Sequence, residues 1–160
     1  MTVSFFVPGT PAQQGSKRYV GKGIMIDTNS QLKSWRGAVA QACPMEAPLN
    51  GPIRLYLEFC YCRPKSHYGS KNKEPYLKPD APLYKTSAPD LDKPIRAIGD
   101  ALTGVAYVDD AQVAELHVKK TYTCQQAGVF VQIEAIRSDG CERAYNEMQV
   151  TAELINHPLS

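Results

Sequence analysis

The run IRLYLEFCYC, Ile53 to Cys62, constrains the fold more than any other stretch. Leu55, Leu57, Phe59 and Tyr61 fall at every second position, the period of a β-strand with one apolar face. Other elements read less sharply. Val3 to Val7 is a short strand, stopped by Pro8-Gly9-Thr10-Pro11. Lys17 to Asp27 is a hairpin that turns at Gly21-Lys22-Gly23. Asn29 or Ser30 caps a helix over roughly residues 31–42, with Leu32, Trp35, Val39 and Ala42 at helical spacing. A second helix runs from about Lys93 to Thr103. Asp92 suits its N-cap, Pro94 its first turn, Gly104 its stop, and Ile95, Ile98 and Leu102 its buried stripe. Gln112 to Thr123 and Val129 to Ile136 are two strands meeting around Gln125-Gln126-Ala127-Gly128. The expectation is one small α/β (α+β) domain with two main helices.

Composition limits what such a domain does. The chain has 160 residues and a 43% hydrophobic share, enough for one core. Its 18 Lys plus Arg against 16 Asp plus Glu give only +2, so the distribution of charge carries the information and the total does not. No apolar run approaches the roughly 20 residues of a membrane span. The opening MTVSFFVPGTP lacks the basic and apolar regions of a signal peptide, so a cytoplasmic location with free thiols is expected for Cys43, Cys60, Cys62, Cys124 and Cys141. Cys60 and Cys62 lie within a strand pattern with no further close zinc ligand, which favours packing over metal.

Charge is concentrated in two places. Residues 63–89 lack any sustained period and read as a long loop with Arg63, Lys65, Lys71, Lys73, Lys78 and Lys85 interleaved with Tyr68, Tyr76 and Tyr84. Bases alternating with aromatics suit contact with nucleic acid. The following stretch, PDLDKPIRAIGDALTGVAYVDDAQV, holds five aspartates. In an extended segment, alternation sends Asp90 and Asp92 to one side. A helix of about 11 residues rises ~16 Å, and the segment Gly104 to Asp110 spans up to ~23 Å if extended. Asp109 or Asp110 can therefore return level with Asp90 and Asp92. Two unit charges 4 Å apart repel by ~4 kcal/mol at an effective dielectric near 20, which a divalent cation reverses. Oxygen-only donors point to Mg²⁺ or Mn²⁺. Each motif also has a structural use, D-x-D as a helix cap and D-D in a turn. No P-loop, no H-E-x-x-H and no nucleophile motif is present, and His67, His117 and His157 are scattered.

At these residues the chain resembles the RusA family of Holliday-junction resolvases of bacteria and their phages. The resemblance is densest over Pro89 to Tyr122, in the order D-L-D, a helix with D-A-L, then D-D-x-Q-V. It extends more weakly over the first strand and PGTPAQQGSKR, the first helix and the long strand. It implies a mixed β-sheet, a homodimer, and Mg²⁺ (Mn²⁺ substituting) held by three aspartates at a four-way DNA junction. The D-L-D pair falls on Asp90 and Asp92, and the second Asp of D-D on Asp110, with Asp109 as its neighbour. Asp100 matches a family aspartate but stands ~12 Å along the helix from Asp92, too far for a shared ligand. The family usually has Asn where this chain has Lys93, and often Lys where it has Arg96. Arg stabilises phosphate charge but is no proton donor at neutral pH. Lys119 and Lys120 match a basic strand position, and alternation lets one of them face the site.

The sequence thus predicts an endodeoxyribonuclease domain over 1–137 and an extension of unassigned role over 138–160. Its activity would be Mg²⁺-dependent resolution of branched DNA by paired symmetric nicks. Asp90, Asp92 and Asp110 are the expected metal ligands. Arg96, Lys93 and one of Lys119 or Lys120 are expected to stabilise developing charge. Lys17, Arg18, Lys65, Lys71, Lys73 and Lys85 are expected to hold the junction arms. The rival expectation is a branched-DNA-binding protein with a degenerate metal site, which binds and does not cut.

Overall fold

A computed structural model describes residues 1–14 and 31–136, and the backbone of 17–19 and 25–27. The Lys17 and Arg18 side chains, the turn at 21–23, Cys141 and the extension 138–160 lie outside the described residues, and the N-cap place expected of Asn29 or Ser30 is held by Gln31.

The alternating run is β4 (Ile53–Cys62), a central strand. Strands β1 (Thr2–Pro8), β4, β7 (Val113–Thr123) and β8 (Gly128–Ala135) form one sheet in the order β1-β8-β4-β7. β1 and β4 run antiparallel to β8, while β4 and β7 are parallel. The sheet is therefore mixed. β7 and β8 are consecutive in sequence but do not pair, because β4 lies between them. Two short ribbons stand outside this sheet, β2 (Lys17–Tyr19) with β3 (Met25–Asp27), and β5 (Tyr68–Lys71) with β6 (Glu74–Leu77).

Parallel neighbours need a crossover, and here it carries helix α2 (Asp92–Leu102) across one face of the sheet. Helix α1 (Leu32–Ala42) packs beside it. Leu32, Trp35 and Val39 of α1 and Ala97, Ile98 and Leu102 of α2 meet Ile53, Leu55, Leu57 and Phe59 of β4 in a single core. Every odd position of β4 is buried and every even one is half-buried or exposed. Complete burial of a side chain such as Phe59 stabilises the fold by about 1.5–3 kcal/mol. Gly128 is required where β8 meets β1: a Cβ there would stand 2.3 Å from Phe6 Cζ and 2.4 Å from the Val7 carbonyl.

The other face of the sheet has no helix among the described residues and is organised by ion pairs. Arg54 bonds Glu115 at 2.6 Å and Glu134 at 2.8 Å, and Lys119 bonds Glu58 at 2.9 Å. Each pair joins residues that the registers place opposite one another. Cys43, Cys60, Cys62 and Cys124 are free thiols, and burial pushes the Cys43 and Cys60 thiols up. No helix among the described residues is long and apolar enough to cross a membrane.

Candidate functional site

The start of α2 departs from the sequence expectation in one residue, with chemical consequences. Asp92 is the first helical residue and not the N-cap; Leu91 holds that place with φ −65° and ψ −32°. A side-chain cap needs an extended residue at the cap position. Leu91 is already helical, and Lys93 N donates to Asp90 O at 3.2 Å, so no side-chain cap forms. Strand alternation accordingly does not set the orientation of Asp90 and Asp92. Both carboxylates are exposed, and Asp92 has no hydrogen bond or ion pair among the described residues. Asp90 pairs with Lys93 at 3.2 Å. The positive end of the helix favours negative charge here.

The D-D motif divides its labour. Asp109 is extended and caps a 3₁₀ turn over Asp110–Gln112: its Oδ1 accepts from Ala111 N at 2.8 Å, and Gln112 Oε1 accepts from Asp109 N at 2.9 Å. Gln112 Nε2 also donates to the carbonyls of Leu49 (3.0 Å) and Gly51 (2.8 Å), fastening the turn to the segment ahead of β4. The Asp110 carboxylate is left exposed, with no hydrogen bond or ion pair among the described residues. Asp100 bonds Arg36 and so ties α2 to α1.

The return from α2 is compact. Thr103 bridges Tyr107, and Gly104, at φ +76°, donates to the Tyr107 carbonyl at 2.7 Å. Tyr107 is fully buried and its hydroxyl donates to the Gly99 carbonyl at 3.2 Å. Burial, with Asp110 and Asp100 nearby, pushes its phenol far up. Residues 103–107 are folded into this turn and do not run back extended along the helix. Among the described residues no three His, Cys, Asp or Glu side chains stand close enough together to hold a metal. Asp90 and Asp92 thus share the start of α2, and Asp110 is not brought into a group with them.

The bases are sorted by strand alternation. Lys119 lies on the ion-paired face, bonded to Glu58 and over the Tyr56 ring at 5.8 Å; the Glu58 bond holds its ammonium well above the usual range. Lys120 lies on the helix side. Its Nζ donates to the carbonyls of Ser87 at 2.8 Å and Pro89 at 2.6 Å, bracketing the cis Ala88–Pro89 bond just ahead of Asp90. Arg96 is exposed on α2 with no partner among the described residues.

The loop expected over 63–89 is more ordered than its composition suggests. It contains a 3₁₀ turn over Lys65–His67 and the β5–β6 hairpin, whose tip Asn72-Lys73 has φ +52° and +67°. Lys65, Lys71 and Lys73 are exposed and unpaired among the described residues. The segment after the hairpin docks on the free edge of β7. Lys85 N donates to Lys120 O at 3.0 Å and Tyr122 N to Leu83 O at 2.8 Å. The sequence places Arg63 in the basic loop and Gln112 in the D-D-x-Q-V motif without a role for either, and gives Tyr122 no part in a site. Only Gln112 had a local signal, three residues after a capping Asp.

A family model described as Endodeoxyribonuclease RusA matches residues 8–134. The "Uncharacterized protein YqaN" of Bacillus subtilis (strain 168) is 32% identical over 126 residues, covering 76% of this chain and 88% of that protein.

Proposed function

The chain belongs to the RusA endodeoxyribonuclease family, and from that premise we propose a Mg²⁺-dependent enzyme that resolves four-way DNA junctions. Membership itself implies a junction-resolving endonuclease. The finer reading is a homodimer that nicks two strands symmetrically in recombination and repair, with Asp90, Asp92 and Asp110 as metal ligands.

One observation supports this reading above the others. D-x-D and D-D are ordinarily structural, yet in this chain Asp109 alone does the structural work. The Asp90 and Asp92 side chains cap nothing, and the Asp110 carboxylate bonds nothing among the described residues. Exposed carboxylates at a helix start suit a hard divalent ion, and among the described residues no thiol or imidazole forms a metal-holding group with them. Their donor chemistry fits the ion; a grouping of all three around one point is not seen among the described residues. When bound, the ion would polarise the phosphodiester and neutralise charge on the leaving oxygen. The chain's own residues supply position and counter-charge. Lys120 fixes the strap that carries Asp90, Lys93 holds the Asp90 carboxylate, and Arg96 faces solvent free to meet phosphate. Lys17, Arg18, Lys65, Lys71, Lys73 and Lys85 supply charge for the arms.

The test is Asp90→Asn on a synthetic four-way junction with Mg²⁺. Cleavage is lost and binding is retained, tightened by removal of one negative charge. Cleavage at the native rate sinks the assignment. The Lys93–Asp90 pair and the ungrouped carboxylates favour a second reading, a branched-DNA-binding protein that does not cut. Native protein that shifts the junction and leaves it intact in both Mg²⁺ and Mn²⁺ establishes that reading instead.

A further inference from the structure

Cations on the two sides of the sheet are treated differently. On the open face Arg54 and Lys119 are each matched by carboxylates. On the other side, at the far ends of β4 and β7, Arg63, Lys85 and Lys120 gather, and none has a carboxylate within ion-pair distance among the described residues. Arg63 and Lys85 are arranged around Tyr122. The Arg63 guanidinium carbon lies 5.7 Å from the centre of that ring and Lys85 Nζ 5.5 Å from it. Lys85 Nζ is also 5.4 Å from the centre of the Tyr61 ring, and the His67 ring meets Tyr122 edge-on at 4.7 Å. Arg63 Nη1 donates to Pro82 O at 2.6 Å and Lys85 Nζ to Ser87 Oγ at 2.6 Å, so both cations are held in place.

This neighbourhood has donors in excess and, among the described residues, no carboxylate within ion-pair distance of its cations. Arg63 Nε and the Tyr61 hydroxyl are buried without a partner. Like charges gathered in partly buried surroundings repel unless an anion joins them. Ring contacts hold cations at a fixed place, and the ring so surrounded is no open platform for a base. The chemical complement is an oxyanion with several acceptor atoms.

We propose that Arg63 and Lys85, organised by Tyr122 and His67, form a site for a single backbone phosphate of the DNA. The proposal rests on the reading of DNA as substrate. Asp90 follows Lys85 by five positions, a reach of at most ~18 Å. That is about five base steps at ~3.4 Å each along the helix axis. The site therefore holds the strand close to where it is cut, and Lys120 on Ser87 and Pro89 fixes the strap between the two.

The experiment measures junction binding without cleavage, by fluorescence anisotropy in EDTA across a salt series. Arg63→Gln and Lys85→Gln each weaken binding about tenfold at low salt and lower the slope of log K against log salt by about one. The double variant loses no more slope than either single one, because both cations hold the same phosphate. Arg63→Lys keeps the charge and the native slope. Native slopes in both Gln variants overturn the site, and so does a loss of two units in the double variant, which would mean separate phosphates. Loss of slope in Arg63→Lys also overturns it, because packing and not charge would then be read. A loss confined to single-stranded oligonucleotides, with slopes intact, assigns Tyr122 to base stacking instead. If the native protein binds no junction, the DNA reading falls and the site with it; if only the slopes fail to move, the DNA reading stands.

Discussion

The same substitution at two adjacent residues should give opposite results. Asp109→Asn keeps a side-chain oxygen where Ala111 N donates at 2.8 Å, and Asn is as good a cap as Asp. The variant should unfold at the native temperature and cleave a four-way junction at close to the native rate. Asp110→Asn is just as conservative in shape and breaks no hydrogen bond among the described residues. It should keep native stability and lose cleavage. The structural half of the argument has its own scale. Asp109→Ala removes the cap, at a cost of about 1 kcal/mol, or roughly 2–4 °C in Tm for a chain of this size. Gln112→Ala removes three bonds, to Asp109 N and to the Leu49 and Gly51 carbonyls. At about 1 kcal/mol net for each, it costs roughly 3 kcal/mol. Thermal unfolding paired with a junction-cleavage assay reads all four variants. The division of labour is refuted if Asp109→Asn abolishes cleavage while Asp110→Asn cuts normally, or if Gln112→Ala leaves Tm unmoved.

Three further outcomes follow from other parts of the molecule. Phe59→Ala, at a fully buried position of β4, should cost about 3–5 kcal/mol in urea unfolding; a loss below 1 kcal/mol means the core is not where it is drawn. Lys120→Met removes both bonds to the strap carrying Asp90 and should cut the cleavage rate far more than junction affinity, whereas an unchanged rate removes its positioning role. Glu115 has its carboxyl held below the ordinary 4.5, first by its bond to Arg54. A lowered folded value gives stability that is present above the unfolded value and lost as pH falls through the folded one. The urea midpoint should therefore decline below about pH 4.5, and less steeply in Glu115→Gln; equal steepness in both proteins would contradict the Arg54 contact.

Sequence patterning reads well where one periodicity dominates. Ile53 to Cys62 alternates over ten residues and forms the strand with those bounds. α1 and α2 lie within a residue of their expected spans, because each carries one apolar stripe. The failures have separate physical causes. The hairpin within 63–89 was invisible because its tip is Asn72-Lys73, and lysine gives no sign that it will take a left-handed conformation. The docking of Leu83 and Lys85 on β7 depends on an edge that only the sheet order creates. Length alone permits an extended return after α2. Gly104 and the buried Tyr107 instead fold it into a turn. The five aspartates were legible as a feature, but which of them is structural depended on hydrogen bonds that no spacing encodes.

Lys119 and Lys120 show why a net charge of +2 conceals so much. They are the same residue type at adjacent positions, yet strand alternation puts one on each side of the sheet. Lys119 meets Glu58, opposite it on β4. Lys120 meets no acid among the described residues and binds two carbonyls of the strap instead. Arg54 repeats the first pattern, and Arg63 with Lys85 the second. Glu58, Glu115 and Glu134 are thus matched with Arg54 and Lys119 on the open face. The unmatched bases lie with the strap that leads to Asp90 and Asp92. A chain with few surplus charges can still present bases to DNA where no carboxylate pairs with them, as around Tyr122. On that account, charge added to the open face should leave junction binding far less affected than the same charge added beside Tyr122.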